Sequence, residues 1–132
     1  LTYASPAFAG CGSCSVETEV EISGGMRSKV WFIGWRADSK NWVELLGKED
    51  RDRWILRQRK NGTIVAKSKV QYGFLPNRKY QLRIAFNGTE FTAFIDGIPV
   101  IVMTPAAGTV PYGTVGFQVR GTTAHYSYVT VQ

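Results

Sequence analysis

The chain has 132 residues, of which 44% are hydrophobic and 20% are charged. This balance excludes a disordered or fibrous protein, and the length fits one globular domain over residues 1–132. No apolar run approaches the roughly 20 residues that cross a bilayer, so no membrane insertion is expected. The chain begins at Leu1 rather than Met, which suggests an excised domain or a processed product.

The net charge is +6, which is compatible with nucleic acid, anionic lipid or acidic polysaccharide as a partner. Lys and Arg are scattered along most of the chain, with a mild concentration over residues 48–69 and no polybasic tail. We therefore expect a solvated basic surface and no nucleic-acid partner. Acidic glycans are mildly favoured, although Asp and Glu are interspersed among the basic residues.

The first motif in the chain is the pair Cys11 and Cys14 in "GCGSCS". A C-x-x-C pair serves as a redox motif, as half of a zinc site or as a small disulfide. The chain has one His and no further Cys, too few ligands for zinc, and the following residues resemble a strand rather than the helix of a redox motif. A disulfide is favoured, and it points to a secreted or extracytoplasmic protein.

Alternation of apolar and polar residues with period 2 predicts strands in the first half of the chain. In "SVETEVEI" it places Val16, Thr18, Val20 and Ile22 on one face. The β-branched and aromatic run "SKVWFIGWR" predicts another strand, followed by "NWVELLG" and "RWILRQRK". Asn61-Gly62 predicts a type I′ hairpin turn into the returning strand "TIVAKSKV".

The second half continues in the same way after a loop at "GFLPNRK". "YQLRIAF" and "TEFTAFI" flank Asn87-Gly88, for which we also predict a type I′ turn, and Asp96-Gly97 precedes "IPVIV". A Pro- and Gly-rich stretch, "TPAAGTVPYG", leads to the last two strands, "TVGFQVR" and "AHYSYVTVQ". Ten to eleven short strands without a helix predict an all-β fold, an antiparallel sandwich or jelly roll.

Three stretches resemble the laminin-G-like and concanavalin A-like jelly rolls. "RADSKNWVEL" resembles their Arg-x-Asp-x-x-Asn-aromatic stretch, and "RKYQLRIAFNGTEFTAFIDGIPVI" is similar to their aromatic strand, Gly-containing turn and valine-rich strand. "GTVGFQVRGTTAHYSYVTVQ" looks like their two closing strands. The resemblance implies a sandwich of the lectin and glucanase type, often a carbohydrate-binding module beside a catalytic domain in the same parent chain. It allows a structural calcium ion, which no Asp cluster here demands; no other cofactor is expected.

Catalysis is weakly supported by the sequence. Glycoside hydrolysis generally needs two carboxylates flanking the scissile bond. "VETEVE" has the composition, but its three Glu alternate onto one face, where solvation explains them. His125 is the only histidine and belongs to no recognisable triad. We therefore expect no enzyme activity.

Aromatic residues are the better indication of function. Sugar rings stack on aromatic side chains, and their hydroxyls pair with planar polar groups. If the last two strands pair with each other, parity places Gln118, Arg120, Tyr126 and Tyr128 on one outer face. In "RWILRQRK" the same parity favours an outward Arg57. We predict that these residues bind carbohydrate together with Arg36, Asp38 and Trp42.

The sequence therefore predicts a non-catalytic module that recognises a glycan or polysaccharide. Two alternatives remain open at this stage. One is a laminin-G-like domain for protein interaction or adhesion, and the other is a small enzyme related to glycoside hydrolases.

Overall fold

The computed structural model describes the backbone of residues 2–8 and both backbone and side chains of residues 11–132. Within these residues the chain forms eleven strands and one short 3-10 helix, Glu49–Arg51. The strands are β1 (Thr2–Phe8), β2 (Cys14–Ile22), β3 (Lys29–Asp38), β4 (Asn41–Lys48), β5 (Arg53–Lys60), β6 (Thr63–Gln71), β7 (Tyr80–Phe86), β8 (Phe91–Ile95), β9 (Ile98–Met103), β10 (Gly113–Arg120) and β11 (Ala124–Val131).

The strands form two antiparallel sheets that pack face to face. The six-stranded sheet has the order β1-β10-β3-β4-β5-β6, and the five-stranded sheet has the order β11-β2-β7-β8-β9. The prediction of an all-β antiparallel sandwich is confirmed. The alternation did not predict β1, which pairs with β10 at one edge of the larger sheet.

The core lies between the two sheets and follows the alternation in the sequence. Val16, Thr18 and Val20 are fully buried and Ile22 is 1% exposed, as predicted for the inner face of β2. The six-stranded sheet contributes alternate residues in the same way. Its core side chains are Val30, Phe32, Trp35, Val43, Leu45, Trp54, Leu56 and Val115.

The hairpin turns agree only partly with the predictions. Asn61 and Gly62 both have positive φ, +53° and +81°, and they join a two-residue hairpin between Lys60 and Thr63, so the type I′ prediction is confirmed there. The prediction for Asn87-Gly88 is wrong. Four residues, 87–90, connect β7 to β8, because the Asn87 side-chain oxygen accepts the backbone N–H groups two and three residues later.

The last two strands do not pair with each other, so the condition on which the shared face of Gln118, Arg120, Tyr126 and Tyr128 depended is not met. β10 lies between β1 and β3 in the larger sheet, whereas β11 pairs with β2 in the smaller one. The connection at Gly121 therefore crosses from one sheet to the other. Side chains of β10 and β11 consequently point to different outer faces of the sandwich.

Gly113, the first residue of β10, tests the packing of the larger sheet. Its φ is +121°, and a Cβ atom built there would overlap the carbonyl group of Arg36. We expect Gly113→Ala to lower the free energy of unfolding by about 3 kcal/mol or more, because it combines backbone strain with a backbone clash. Urea denaturation measures this difference.

Gly62→Ala is the matched control. Gly62 has a φ of +81°, but a Cβ atom there would meet nothing within 4 Å. Strain alone should lower the free energy of unfolding by about 1 kcal/mol. Equal losses in the two variants would contradict the close approach of β10 to β3.

Candidate functional site

The outer face of the six-stranded sheet is defined by the side chains that alternate with its core residues. Cross-strand partners point to the same side of a sheet, so the outward side chains of β10, β3, β4, β5 and β6 form rows across it. The first row is Arg120, Lys29, Lys48, Arg53 and Gln71; the second is Gln118, Trp31, Leu46, Ile55 and Lys69; the third is Gly116, Ile33, Glu44, Arg57 and Lys67; the fourth is Thr114, Arg36, Trp42, Arg59 and Ile64.

We call these four rows the basic face because of their charge. Among the side chains that the structure describes, they contain nine Lys or Arg residues and a single carboxylate, that of Glu44. The outer face of the five-stranded sheet has the opposite character, with Glu17, Glu19 and Glu21 along β2 and Arg83 on β7. The basic residues that are scattered in the sequence are therefore concentrated on one side of the molecule.

The first row places four cations side by side. Arg120 pairs across strands with Lys29, Lys29 with Lys48, and Lys48 with Arg53. None of the four forms a salt bridge with a residue that the structure describes. Burial lowers the pKa of Lys48, and repulsion from Lys29 and the neighbouring arginines lowers it further. The row is thus a line of mutually repelling positive charges.

The second row provides an apolar surface directly beside these cations. Trp31 is half-buried and lies between Gln118 and Leu46. Leu46 and Ile55 are only 2% and 7% exposed although they point away from the core. The row therefore combines one partly accessible aromatic ring with an amide side chain over an apolar floor.

The third row contains a salt bridge. The Nε atom of Arg57 donates to Oε1 of Glu44 at 2.9 Å, and the two side chains are 19% and 3% exposed. Ile33, the cross-strand neighbour of Glu44 on β3, is buried as well. Because Glu44 is buried, its bond to Nε fixes the position of the Arg57 guanidinium, and the Arg57 side chain stays partly accessible to solvent.

The fourth row contains the stacked pair Trp42 and Arg59. The guanidinium carbon of Arg59 lies 5.1 Å from the centre of the Trp42 ring, a cation–π contact. Trp42 Nε1 and Arg59 Nε are buried and have no hydrogen-bond partner among the described residues. Both side chains line a cleft of about 170 Å³ at this end of the sheet.

The opposite wall of that cleft is the loop between β9 and β10. Gln58 on β5 holds this loop: its Nε2 donates to Thr109 Oγ1 at 2.9 Å, and its Oε1 accepts the Ala106 N–H at 2.8 Å. Gln58 is 6% exposed, so these bonds are shielded from water. The cleft therefore has one anchored wall and one wall made by the Trp42–Arg59 pair.

Five of the predicted site residues share the basic face. They are Arg36, Trp42, Arg57, Gln118 and Arg120. Asp38 lies at the end of β3, in the turn to β4. Its carboxylate accepts hydrogen bonds from the Asn41 side chain and the Lys40 N–H, which lower its pKa.

Tyr126 does not belong to the predicted site. Register shifts between Tyr126 and Val129 in β11, and this bulge turns Tyr126 inward on the same side as Val129. Its ring centre is 4.3 Å from that of Phe117, its hydroxyl donates to the Trp31 carbonyl at 3.1 Å, and burial raises its pKa. Tyr126 thus supports β3 and β10 from the core side.

Tyr128 lies on the outer face of the five-stranded sheet, remote from Gln118 and Arg120. Its hydroxyl donates to Glu17 Oε2 at 2.9 Å and accepts from Gln81 Nε2 at 3.0 Å. Burial raises its pKa, and the charge of Glu17 contributes to the same shift. Tyr128 therefore does not share an outer face with Gln118 and Arg120, which the sequence analysis expected if the last two strands paired.

Several residues of the basic face were not predicted. They are Lys29, Trp31, Glu44, Lys48, Arg53 and Arg59. A signal for them exists in the sequence: once Val30 and Phe32 are assigned to the core, parity turns Lys29 and Trp31 outward. Leu45 and Leu56 are core residues too, so the residues next to them in the sequence also point outward.

The two cysteines do not belong to the basic face. A disulfide joins Cys11 to Cys14. Residues 11–132 contain no cluster of three His, Cys, Asp or Glu side chains suited to a metal ion. No helix in the described part of the chain is long and apolar enough to cross a membrane.

Comparison with solved structures identifies the fold. A carbohydrate-binding module, CBM66 from Bacillus subtilis, superposes with a TM-score of 0.76 at 21% identity, covering 94% of this chain and 77% of that one. Sheep galectin-11 gives 0.74 at 10% identity, covering 96% and 95%. A homodimeric agglutinin from chicken liver, CG-16, gives 0.74 at 11% identity, covering 100% and 98%.

No protein-family model matches the chain, and no curated protein matches it significantly. The structural likeness extends over nearly the whole chain at low identity, so it concerns the fold. The chain has the jelly-roll β-sandwich fold of these carbohydrate-binding module and galectin structures, which agrees with the fold that the sequence resemblance implied.

The inward position of Tyr126 generates a testable prediction. Tyr126→Ala should lower the free energy of unfolding by about 2–4 kcal/mol, because it removes a ring packed on Phe117 and a hydrogen bond to β3. Tyr128→Ala, on an outer face, should lower it by less than about 1 kcal/mol. Urea denaturation of both variants measures the difference, and equal effects would contradict the bulge in β11.

The charges of the basic face generate a second prediction. Neutralising one acidic and one basic residue of this face should change the free energy of unfolding in opposite directions. Glu44→Gln should lower the free energy of unfolding by about 1–3 kcal/mol, since it removes the carboxylate that forms the salt bridge with Arg57. Lys48→Gln should raise it by about 0.5 kcal/mol, because repulsion within the first row is relieved. Urea denaturation at low salt measures both changes.

Salt distinguishes repulsion from packing in this pair of variants. The gain from Lys48→Gln should shrink as NaCl is added, because salt screens exposed charges more than buried ones. A loss of stability in Lys48→Gln would show that the packing of the lysine stem outweighs the repulsion.

Proposed function

We propose that the protein is a non-catalytic carbohydrate-binding module that recognises a glycan or polysaccharide through the basic face. The observation that carries the proposal is the second row, in which the half-buried ring of Trp31 lies between Gln118 and Leu46. An aromatic surface stacks on the C–H face of a sugar, while planar amide and guanidinium groups pair with its hydroxyls. Gln118 supplies such a group directly beside that ring, and Arg57 supplies another on the same face, two strands away.

The fourth row supports the same proposal. Trp42 presents a second aromatic side chain on the face, and its indole Nε1–H and the Nε–H of Arg59 are donors without a partner among the described residues. Buried donors of this kind cost free energy when they stay unpaired. A sugar hydroxyl entering the adjoining cleft would accept hydrogen bonds from them.

The carboxylates of the basic face support the non-catalytic part of the proposal. Hydrolysis by the usual mechanism needs two carboxyl groups about 5–9.5 Å apart on either side of the glycosidic bond. The basic face offers only Glu44 among its described side chains, and this group is paired with Arg57 and 3% exposed. Glu17 and Glu19, on the opposite outer face, accept hydrogen bonds from Tyr128 and Ser127.

The structural neighbours and the disulfide extend the proposal. One neighbour is described as a carbohydrate-binding module and others as galectins, and we infer a related role for this chain. The disulfide between Cys11 and Cys14 favours a secreted or extracytoplasmic location, where such bonds persist. A catalytic domain in the same parent chain would fit an accessory role in polysaccharide binding.

A glycan array probed with the isolated domain tests the proposal. We expect binding to a defined set of glycans, and Trp31→Ala should weaken it by about 1–3 kcal/mol, as expected when a stacking contact and its apolar area are lost. Gln118→Ala is a milder second variant. Titration calorimetry, corrected for the folded fraction of each variant, measures the affinities.

Phe94→Ala is the matched control for Trp31→Ala. Phe94 is also a half-buried aromatic residue, but it lies on the outer face of the five-stranded sheet beneath Arg83. Its removal should leave glycan affinity unchanged. An array without any bound glycan, or equal losses in Trp31→Ala and Phe94→Ala, would overturn the proposal and favour a protein-interaction domain.

A further inference from the structure

We infer that the ligand of the basic face is an acidic polysaccharide, whose carboxylate or sulfate groups lie along the first row while a sugar ring stacks on Trp31. This inference rests on the proposed carbohydrate function and names the class of glycan. It follows from the arrangement of charges on the folded sheet, which the sequence does not display.

The first row has the geometry of a repeating anion site. Neighbouring strands lie about 4.8 Å apart, so the four cations from Arg120 to Arg53 form a line about 14 Å long across β10, β3, β4 and β5. Each of them comes from a different strand. A linear polymer that carries one anion per sugar or disaccharide unit could contact several of these cations at once.

The row also lacks internal counterions. The described part of the chain forms two salt bridges, Arg57 with Glu44 and Arg78 with Asp96, and neither involves the first row. The acidic residues of the adjoining 3-10 helix, Glu49 and Asp50, form no salt bridge with it. An incoming anion would therefore meet cations whose charge is not already compensated by a bound carboxylate.

The second row explains why the anion should be a polysaccharide. On β3 Trp31 follows Lys29 by two residues, and on β10 Gln118 precedes Arg120 by two residues. The first two rows are therefore about 7 Å apart along the strands. A sugar ring on Trp31 would thus keep its acidic substituent within reach of the first row. Leu46, the cross-strand neighbour of Trp31, continues the apolar floor beneath the same ring.

The different charges of the two outer faces determine which face such a polymer can bind. Glu17, Glu19 and Glu21 line the outer face of the five-stranded sheet, and their charge would repel an acidic chain. Complementary potential favours binding on the basic face and like charge disfavours it on the other. The segregation therefore restricts a polyanion to the face that holds Trp31.

Single-stranded nucleic acid is the competing polyanion. Proteins that bind it use several aromatic side chains on which successive bases stack along the charged groove. Next to the first row the structure places one aromatic side chain among the described residues, Trp31. The arrangement fits isolated sugar stacking better than a run of stacked bases.

Two matched pairs of probes test the inference. The first pair is polygalacturonate and the same polymer after its carboxyl groups are reduced to alcohols; the second is dextran sulfate and dextran. We expect the acidic member of at least one pair to bind at least about tenfold more tightly than its neutral partner. Raising NaCl from about 0.05 to about 0.5 M should remove most of that difference.

A double variant assigns the effect to the first row. Lys29→Gln combined with Lys48→Gln should weaken binding to the acidic probe by about tenfold or more and flatten its dependence on salt. Lys79→Gln combined with Arg83→Gln removes the same charge away from the basic face and should change affinity by less than about threefold. Unfolding curves confirm that both variants are folded at the assay temperature.

The outcomes separate this inference from the proposed function. Equal binding to the acidic and neutral probes, or preference for a neutral glycan, would overturn the inference and leave the carbohydrate function standing. No binding to any glycan would overturn both. Binding of oligo(dT) as tight as that of the polysaccharide, and insensitive to Trp31→Ala, would show a general polyanion surface and would also overturn the inference.

Discussion

The antiparallel register of β3, β4 and β5 determines both the core and the basic face. These strands pair so that Val30, Phe32 and Leu45 point into the sandwich. Because successive side chains of a strand point to opposite faces, the intervening residues point to the outer side. A slip of one residue would bury lysines and expose the core side chains, so the burial of the apolar set also maintains the rows of cations.

The buried carboxylate of Glu44 offsets part of the repulsion among the cations of the basic face. Nine cations on one face repel one another, and this repulsion adds to the effect of burial in lowering the pKa of Lys48. Glu44 compensates one of them through its bond to Arg57 and is shielded by the side chains around it. The surrounding Ile33, Leu46 and Ile55 are also buried, which lowers the local dielectric constant and strengthens the pair.

The sequence predicts the strands well because alternation is a local property. It predicted the inner face of β2, the Asn61-Gly62 turn and the outward position of Arg57, each of which depends on a few consecutive residues. It could not predict that β10 and β11 belong to different sheets, because strand partnership depends on contacts far apart in the chain. It also could not predict the bulge after Tyr126, where one additional residue reverses the parity of everything before it.

The same distinction between local and distant information explains the site. Arg36, Trp42, Arg57, Gln118 and Arg120 were named from composition and parity, and they share one face because the sheet order brings their strands together. Parity could have turned single residues such as Lys29 outward, but the alignment of the cations across four strands depends on the sheet order, which no local pattern contains.

The tryptophans show how sheet packing assigns different roles to one residue type. Trp35 and Trp54 are 2% and 0% exposed and fill the core, whereas Trp31 and Trp42 stand on the basic face. In β3 a register shift separates Ile33 from Trp35, and it places Trp31 and Trp35 on opposite faces although their positions differ by four, an even number. Without that irregularity both rings would lie on the same side of the sheet. The bulge therefore gives the core one indole and leaves the other beside the first row of cations, where the stacking surface and the charges of the proposed polysaccharide site meet.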